Sequence, residues 1–323
     1  MFFLSRNVNS KCAVTGNANA RKSKVFVYKI AGEELLSNEE IKSLLAFKVD
    51  GHHALCDGVM FEQIDVVLSQ ENSDLHYQGK AHFNQALRSV VAWRKGDLIQ
   101  IDIDGTPACT IDRSEKRIVI LNEDSFDSPL NLELITGPAV ILLLAQKSVY
   151  SLHASAVRFS AHKEGQGRQS RVVAFLADSG VGKSTLARHV GDQWCQLVDD
   201  ILPVTLAAES LSFFDDFPQL KLKGAHAQAF DGSRLIQRVD FLVCLNGQFS
   251  EDVDIQVMAK SEALLALIRH TVAVRLFDVE QTKAHLEFAK KVVEEIPVLQ
   301  ISYPRDLSKL PEIKAQIVSC ILS

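Results

Sequence analysis

Nine consecutive residues, Ala177-Asp178-Ser179-Gly180-Val181-Gly182-Lys183-Ser184-Thr185, place two glycines, a lysine and three hydroxyls in the order that cradles a phosphate chain. The apolar run Arg171-Val-Val-Ala-Phe-Leu176 before them reads as a buried strand, and 183–190 after them reads as a helix. At such a strand-to-helix turn, successive backbone N–H groups wrap phosphate oxygens while the helix start adds partial positive charge. Ser179, Gly180, Val181, Gly182, Lys183, Ser184 and Thr185 are therefore the expected ATP-binding residues. In that arrangement Lys183 reaches the β- and γ-phosphates and the Ser184 hydroxyl ligates Mg²⁺. Ala177 stands where the usual pattern has a first Gly, which is harmless at negative φ and an obstacle at positive φ.

A second chemical feature follows at once. Asp199 and Asp200 are expected to close a strand only 16 residues past Lys183. That spacing leaves room for one short helix and an immediate return to the sheet. A carboxylate at the end of a strand beside a phosphate loop holds Mg²⁺ directly or through water. Two adjacent ones suggest divided labour, one on the metal and one accepting a proton from an attacking hydroxyl. We assign Asp199 as the base and Asp200 to the metal, with the reverse order open. Successive strand residues point to opposite faces, so a bend is needed before both meet one site. His153, on the strand one hairpin earlier, is the third catalytic candidate, although a lone His on an apolar strand is more often a core histidine.

The elements that must position these groups fall into two parts. Residues 1–23 are rich in Asn, Ser, Lys and Arg and read as a loose tail. Residues 24–127 read as a small α+β, mainly antiparallel domain that recognises a substrate or partner. It holds strands at 25–30, 63–68, 89–93, 98–103, 108–111 and 117–121, with a helix at 34–47 opened by Ser37-Asn38-Glu39-Glu40. Asp104-Gly105 is a hairpin turn, and the sheet should have one wet face. Residues 128–323 read as an α/β nucleotide-binding domain. Its elements are a helix at 130–147, strands at 149–159, 171–176, 196–204, 239–245 and 298–303, and helices at 261–270, 279–294 and 310–322. Residues 160–170 read as an exposed loop.

Composition narrows the function classes. The chain has 323 residues, 47% of them apolar, a net charge of −5 and a pI near 6.1. No basic run exceeds short clusters such as Arg21-Lys22-Ser23-Lys24, so no nucleic-acid partner is expected. The longest apolar stretch, 139–145, falls far short of the roughly 20 residues that span a bilayer, and no membrane association is expected. Met1-Phe-Phe-Leu-Ser-Arg6 is too short for a secretory signal. The six scattered cysteines (Cys12, Cys56, Cys109, Cys195, Cys244, Cys320) read as free thiols in a reducing cytoplasm.

Taken in order, Leu152-His153-Ala154-Ser155-Ala156-Val157, the loop Ser179–Ala187 and Leu197-Val198-Asp199-Asp200 resemble the C-terminal domain of HPr kinase/phosphorylase and its relatives. That family shares the nucleotide core of phosphoenolpyruvate carboxykinase. The resemblance covers about residues 130–323 and implies a P-loop kinase with a mixed sheet flanked by helices. It implies ATP and Mg²⁺ as ligands, phosphate contacts from Lys183 and Ser184, metal and base roles for the acidic pair, and an active-site role for His153. It also implies a tendency to assemble as a homo-oligomer. The chain departs from the family at Ala177 and at Ser184-Thr185, where the bifunctional enzymes carry Ser-Glu. Their glycine-rich signature is replaced by Phe217-Pro-Gln-Leu-Lys-Leu-Lys-Gly224, in which Lys221 and Lys223 read as solvated lysines. The acceptor implied is a serine-type hydroxyl on a protein, peptide or metabolite other than HPr. Competing readings are a nucleotide-binding regulator or assembly factor with little transfer, and an acyltransferase. The latter rests on His52-His53-Ala54-Leu55-Cys56-Asp57-Gly58, which resembles the active-site motif of chloramphenicol-acetyltransferase-like enzymes but sits too early in the chain.

Overall fold

The computed structural model describes residues 25–49, 59–63, 73–163, 167–188, 194–219, 236–247 and 250–322. The tail 1–23, the motif with His52, His53 and Asp57, and Lys221 and Lys223 lie outside the described residues. The architecture is mixed α/β, built on two eight-stranded sheets.

The first sheet holds β1 (Phe26–Ile30), β2 (Glu33–Ser37), β3 (Val59–Gln63), β4 (Asp74–Phe83), β5 (Ala86–Lys95), β6 (Leu98–Ile103), β7 (Thr106–Asp112) and β8 (Arg117–Ile120), in the order β1-β2-β3-β8-β7-β6-β5-β4. Strands β4 to β8 form an antiparallel meander, and β3 runs parallel to both neighbours. Asp104 and Gly105, with φ of 52° and 82°, make the expected two-residue hairpin turn. The helix expected at 34–47 is absent. Leu35 and Leu36 are buried in β2 instead, and only Lys42–Phe47 coils, as a short tight helix. Tertiary contacts override the local propensity here: Tyr28 Oη accepts the Ile41 N–H at 2.6 Å, and the Asp127 carboxylate accepts the Lys42 and Ser43 N–H groups. Nor is the second face uniformly wet. Gln100 and Asp102 are buried, and Asp102 accepts from Trp93 Nε1 at 2.8 Å and Gln100 Nε2 at 2.7 Å.

A helical connection leads to the second sheet. Ser128 caps α1 (Pro129–Leu134), with Pro129 in the first turn. The single helix expected at 130–147 is broken at Gly137-Pro138, where a proline that lacks an N–H opens the wider turn Ile135–Ala139. The fully buried α2 (Val140–Ala145) follows.

The second sheet holds β9 (Tyr150–Lys163), β10 (Gly167–Leu176), β11 (Trp194–Ala207), β12 (Ser210–Phe214), β13 (Ile236–Arg238), β14 (Phe241–Leu245), β15 (Asp254–Val257) and β16 (Val298–Ser302). Their order is β13-β12-β11-β9-β10-β14-β16-β15. Helices α3 (Lys183–Arg188), α4 (Lys260–Arg269), α5 (Val279–Glu295) and α6 (Leu310–Leu322) complete the described chain. Alternation along β10 shows why its run is apolar throughout. Val173 and Phe175 pack with Leu186 of α3 and Ile313 and Ile317 of α6. Val172, Ala174 and Leu176 face the core shared with α2, α4, α5 and the first sheet. Burial on both faces selects against polar alternation. Residues 160–170, expected as a loop, mostly continue the β9–β10 ladder, which pairs Gly167 with Lys163. Among the described residues no helix is long and apolar enough to cross a membrane. Cys109, Cys195, Cys244 and Cys320 form no disulfide.

Candidate functional site

Strand β10 ends at Leu176, and its chain turns through 177–182 into α3. Gly180 and Gly182 have φ of +82° and +120°, backbone that residues with a Cβ seldom adopt. A Cβ on Gly182 would also lie 2.8 Å from Tyr303 Oη, whose hydroxyl donates to the Val181 carbonyl at 3.0 Å. Ala177 is buried and is not among the positive-φ residues, so its methyl group costs the turn nothing. Lys183 is only 6% exposed, and its ammonium donates to the Ala177 carbonyl at 2.6 Å and the Asp178 carbonyl at 3.3 Å. The positive charge thus lies inside the curve of the loop. Ser179 is exposed at the turn, and Val181, Ser184 and Thr185 are half-buried along the loop and first helical turn.

Two strands, β9 and β11, deliver the remaining groups. The two acids, expected to close their strand, lie instead in the middle of β11, whose ladder to β9 runs on to Val204. Asp199 is 1% exposed, and its carboxylate is hydrogen-bonded on both oxygens. Oδ1 accepts from Ser184 Oγ at 2.6 Å and from Ser155 Oγ of β9 at 2.8 Å, while Oδ2 accepts from Arg188 Nη2 at 2.7 Å. Asp200 pairs with His153 Nε2 at 3.2 Å. His153 and Ser155 are two apart on one strand and so share a face. Their partners, Asp200 and Asp199, therefore reach the same face although they are consecutive. The bend that this requires is present: Asp200 has φ of +116° inside the strand.

The wall opposite β11 comes from the end of α4. Strand β10 pairs with β9 only from Ala154 onward, and the backbone after α4 takes the vacated positions. His153 N–H donates to the His270 carbonyl at 2.8 Å, Val272 N–H donates to the Ser151 carbonyl at 2.8 Å, and Leu152 bridges Thr271. Arg269 consequently forms an ion pair with Asp178 of the loop. Burial pushes the His270 imidazole down to about 4, with Lys183, Arg269 and His153 acting in the same direction and Asp178 opposing them. His270 is therefore neutral at neutral pH.

The structure thus brings together Lys183, Ser184, Asp199, Asp200 and His153, all singled out from the sequence, and adds Ser155, Arg188, Gln219, His270 and Tyr303. Ser155 was recoverable, being two residues from His153 on a strand. So was Arg188, one helical turn past Ser184 on α3, whereas Gln219, His270 and Tyr303 arrive by long-range folding, which no local spacing announces. Among the described residues no three His, Cys, Asp or Glu side chains gather as a metal cage. The Ser184 hydroxyl beside the Asp199 carboxylate is instead a small set of hard oxygen donors. It suits Mg²⁺, which keeps several waters and takes one or two protein ligands. No protein-family model matches the chain, and no curated protein matches it.

Proposed function

We propose that the chain is an ATP-dependent kinase that transfers the γ-phosphoryl group to a serine-type hydroxyl on a protein, peptide or small molecule. One observation carries the reading: Ser184 Oγ of the glycine loop and Asp199 of β11 share a hydrogen bond of 2.6 Å. A phosphate loop whose hydroxyl touches a buried carboxylate on the next strand in the chain has the two protein ligands that Mg-nucleotide requires. The ordered resemblance of the His153, loop and Asp199-Asp200 segments to HPr kinase/phosphorylase supports the same reading.

The geometry favours exchanging the roles assigned to the two acids from sequence. Asp199 lies against Ser184 and is the better cation ligand. Asp200 lies beside His153, 28% exposed at its side chain, and is the better proton acceptor. Lys183 would contact the β- and γ-phosphates. Bound Mg²⁺ would supply charge neutralisation on the phosphates. The acceptor oxygen forms its bond to γ-phosphorus as the bond to the β–γ bridging oxygen breaks, and the hydroxyl proton passes to the Asp200 carboxylate. His153 Nε2, 3.2 Å from Asp200 Oδ1, would hold that carboxylate in place. Positioning and charge supply most of the rate, as in other phosphoryl transfers.

Labelled ATP incubated with purified protein and cell extract tests the reading. Transfer of label to an extract component is expected. Asp200→Asn should bind ATP normally and transfer about 10²- to 10⁴-fold more slowly. Asp199→Asn should raise the Mg²⁺ concentration needed for nucleotide binding, and Lys183→Ala should abolish binding. ATP binding without transfer to any component would make the chain a nucleotide-binding regulator instead.

A further inference from the structure

Ten non-glycine residues among those described have positive φ. Nine of them lie between 48° and 62°, and all nine sit in turns. The tenth is Asp200, at 116° and inside a strand. Backbone in that region persists only where surrounding contacts over-determine it, and such strain gathers at functional sites.

The contacts that hold it are specific. Strand β12 pairs with β11 only from Val204 to Ala207, and among the described residues no strand continues that edge as far as 199–201. The Gln219 side chain fills that position. Its Oε1 accepts the Asp199 N–H at 3.0 Å, and its Nε2 donates to the Ile201 carbonyl at 2.9 Å. One amide thus bonds the backbone on both sides of Asp200. A second donation from Nε2, to the Phe217 carbonyl at 3.3 Å, anchors the amide to its own chain. On the other side, the β9 ladder pairs Asp199 with Ser155, Asp200 with Ala154 and Ile201 with His153. Asp200 is held from both edges.

We propose that Gln219 is a positioning residue whose amide locks the Asp200 backbone in its left-handed conformation and so keeps Asp199 and Asp200 on one face of the sheet. The catalytic consequence rests on the kinase reading; the backbone lock does not. Without the amide, β11 relaxes toward regular alternation, and Asp200 swings off the face that carries His153 and the phosphate loop.

The lock is tested by thermal melting, with no substrate present. Glycine accepts φ near 116° without strain, so an Asp200→Gly chain does not need the lock. Gln219→Ala should lower Tm clearly in the natural chain and by less than roughly half as much in the Asp200→Gly background, because the two sites are coupled. Equal losses in both backgrounds would show that Gln219 only anchors the 217–219 loop, and would overturn the proposal. Gln219→Met, similar in volume but without an amide, replaces the alanine variant if that fails to fold. The catalytic arm is kinetic. Gln219→Met should lower kcat on the order of 10²-fold, the cost of a small misplacement, with KM for ATP unchanged. An unchanged kcat would overturn the positioning role. If no variant, nor the natural chain, transfers phosphate, the kinase reading falls while the melting result still decides the lock.

Discussion

Arg113, in the turn after β7, donates from Nη1 to Asp278 Oδ2 at 2.6 Å and so joins the first sheet to the N-terminus of α5. The same guanidinium reaches Gln281 Oε1 at 2.8 Å and Asp97 Oδ1 at 2.7 Å, and Arg94 adds a bond to the Leu276 carbonyl at 2.8 Å. Asp278 also caps its helix, accepting the Gln281 N–H at 2.7 Å, while the Gln281 side chain returns to the Asp278 N–H. Burial alone would raise the Asp278 carboxyl; the Gln281 N–H and the two guanidiniums overturn that and hold it low.

Arg113→Ala should therefore destabilise the protein by roughly 3 kcal/mol, the lower end for breaking a buried pair, because Asp278 keeps some exposure. Asp278→Ala should cost a similar amount plus the cap. The double variant should fall short of the sum by 1 kcal/mol or more, roughly, in urea unfolding. Additive losses would mean that the pair does not tie the two sheets together.

Gly182 makes a second test, of the glycine loop and its proposed nucleotide binding. Its φ of +120° lies outside the ordinary left-handed helical well, and a methyl group there would strike Tyr303 Oη. Gly182→Ala should cost about 1–3 kcal/mol in backbone strain and weaken binding of a fluorescent ATP analogue more than about tenfold. Tyr303→Phe in the same chain removes the clash but leaves the φ, so it should not restore binding. Full restoration would show that crowding, not backbone conformation, requires the glycine. Gly180→Asn should be milder, since φ of +82° is nearer that well and nothing lies within 4 Å of its Cβ.

The central strands of the second sheet were readable because burial on both faces writes near-continuous apolar runs, as in Val172–Leu176, and because Gly-x-Gly-Lys-Ser marks the turn that follows them. The short β12, β13 and β15 were not anticipated. The first sheet was less so. Strand β4 does carry a period of two, with Tyr77, Ala81 and Phe83 less exposed than Gln78, Lys80 and His82, but Gly79 breaks its apolar side and its ladder to β5 holds it in place. The 34–47 segment has helical spacing, but the hairpin with β1 and the distant Asp127 decide its shape. At the site, residue types disclosed Lys183, Ser184, Asp199 and Asp200. The need for a bend between the two acids was also foreseeable. What supplies it was not: Gln219 reaches Asp199 across 20 residues, and its role depends on where β12 stops pairing. The choice of which acid faces Ser184 is likewise a matter of backbone twist rather than spacing.

Acid should loosen the wall behind the site. Burial pushes both His270 and His285 down to about 4 from an ordinary value near 6.5. Between those limits the unfolded chain binds protons that the folded chain refuses, so their contribution is present above about 6.5 and lost as pH falls toward 4. His285 is 2% exposed, and its Nε2 lies 2.9 Å from Thr271 Oγ1, whose hydroxyl also donates to the Leu267 carbonyl. Thr271 bridges Leu152, so placing a charge on buried His285 destabilises the packing beneath the segment that seats His270 beside the glycine loop. Asp215 and Asp216, raised by burial, act in the opposite direction as the pH falls, which makes the difference between variants the informative quantity. His285→Gln keeps a polar partner for Thr271 without a titrating ring. Its urea midpoint should change less than that of the natural chain between pH 7 and pH 5. Parallel losses in the two proteins would place the acid sensitivity elsewhere and leave His285 as packing alone.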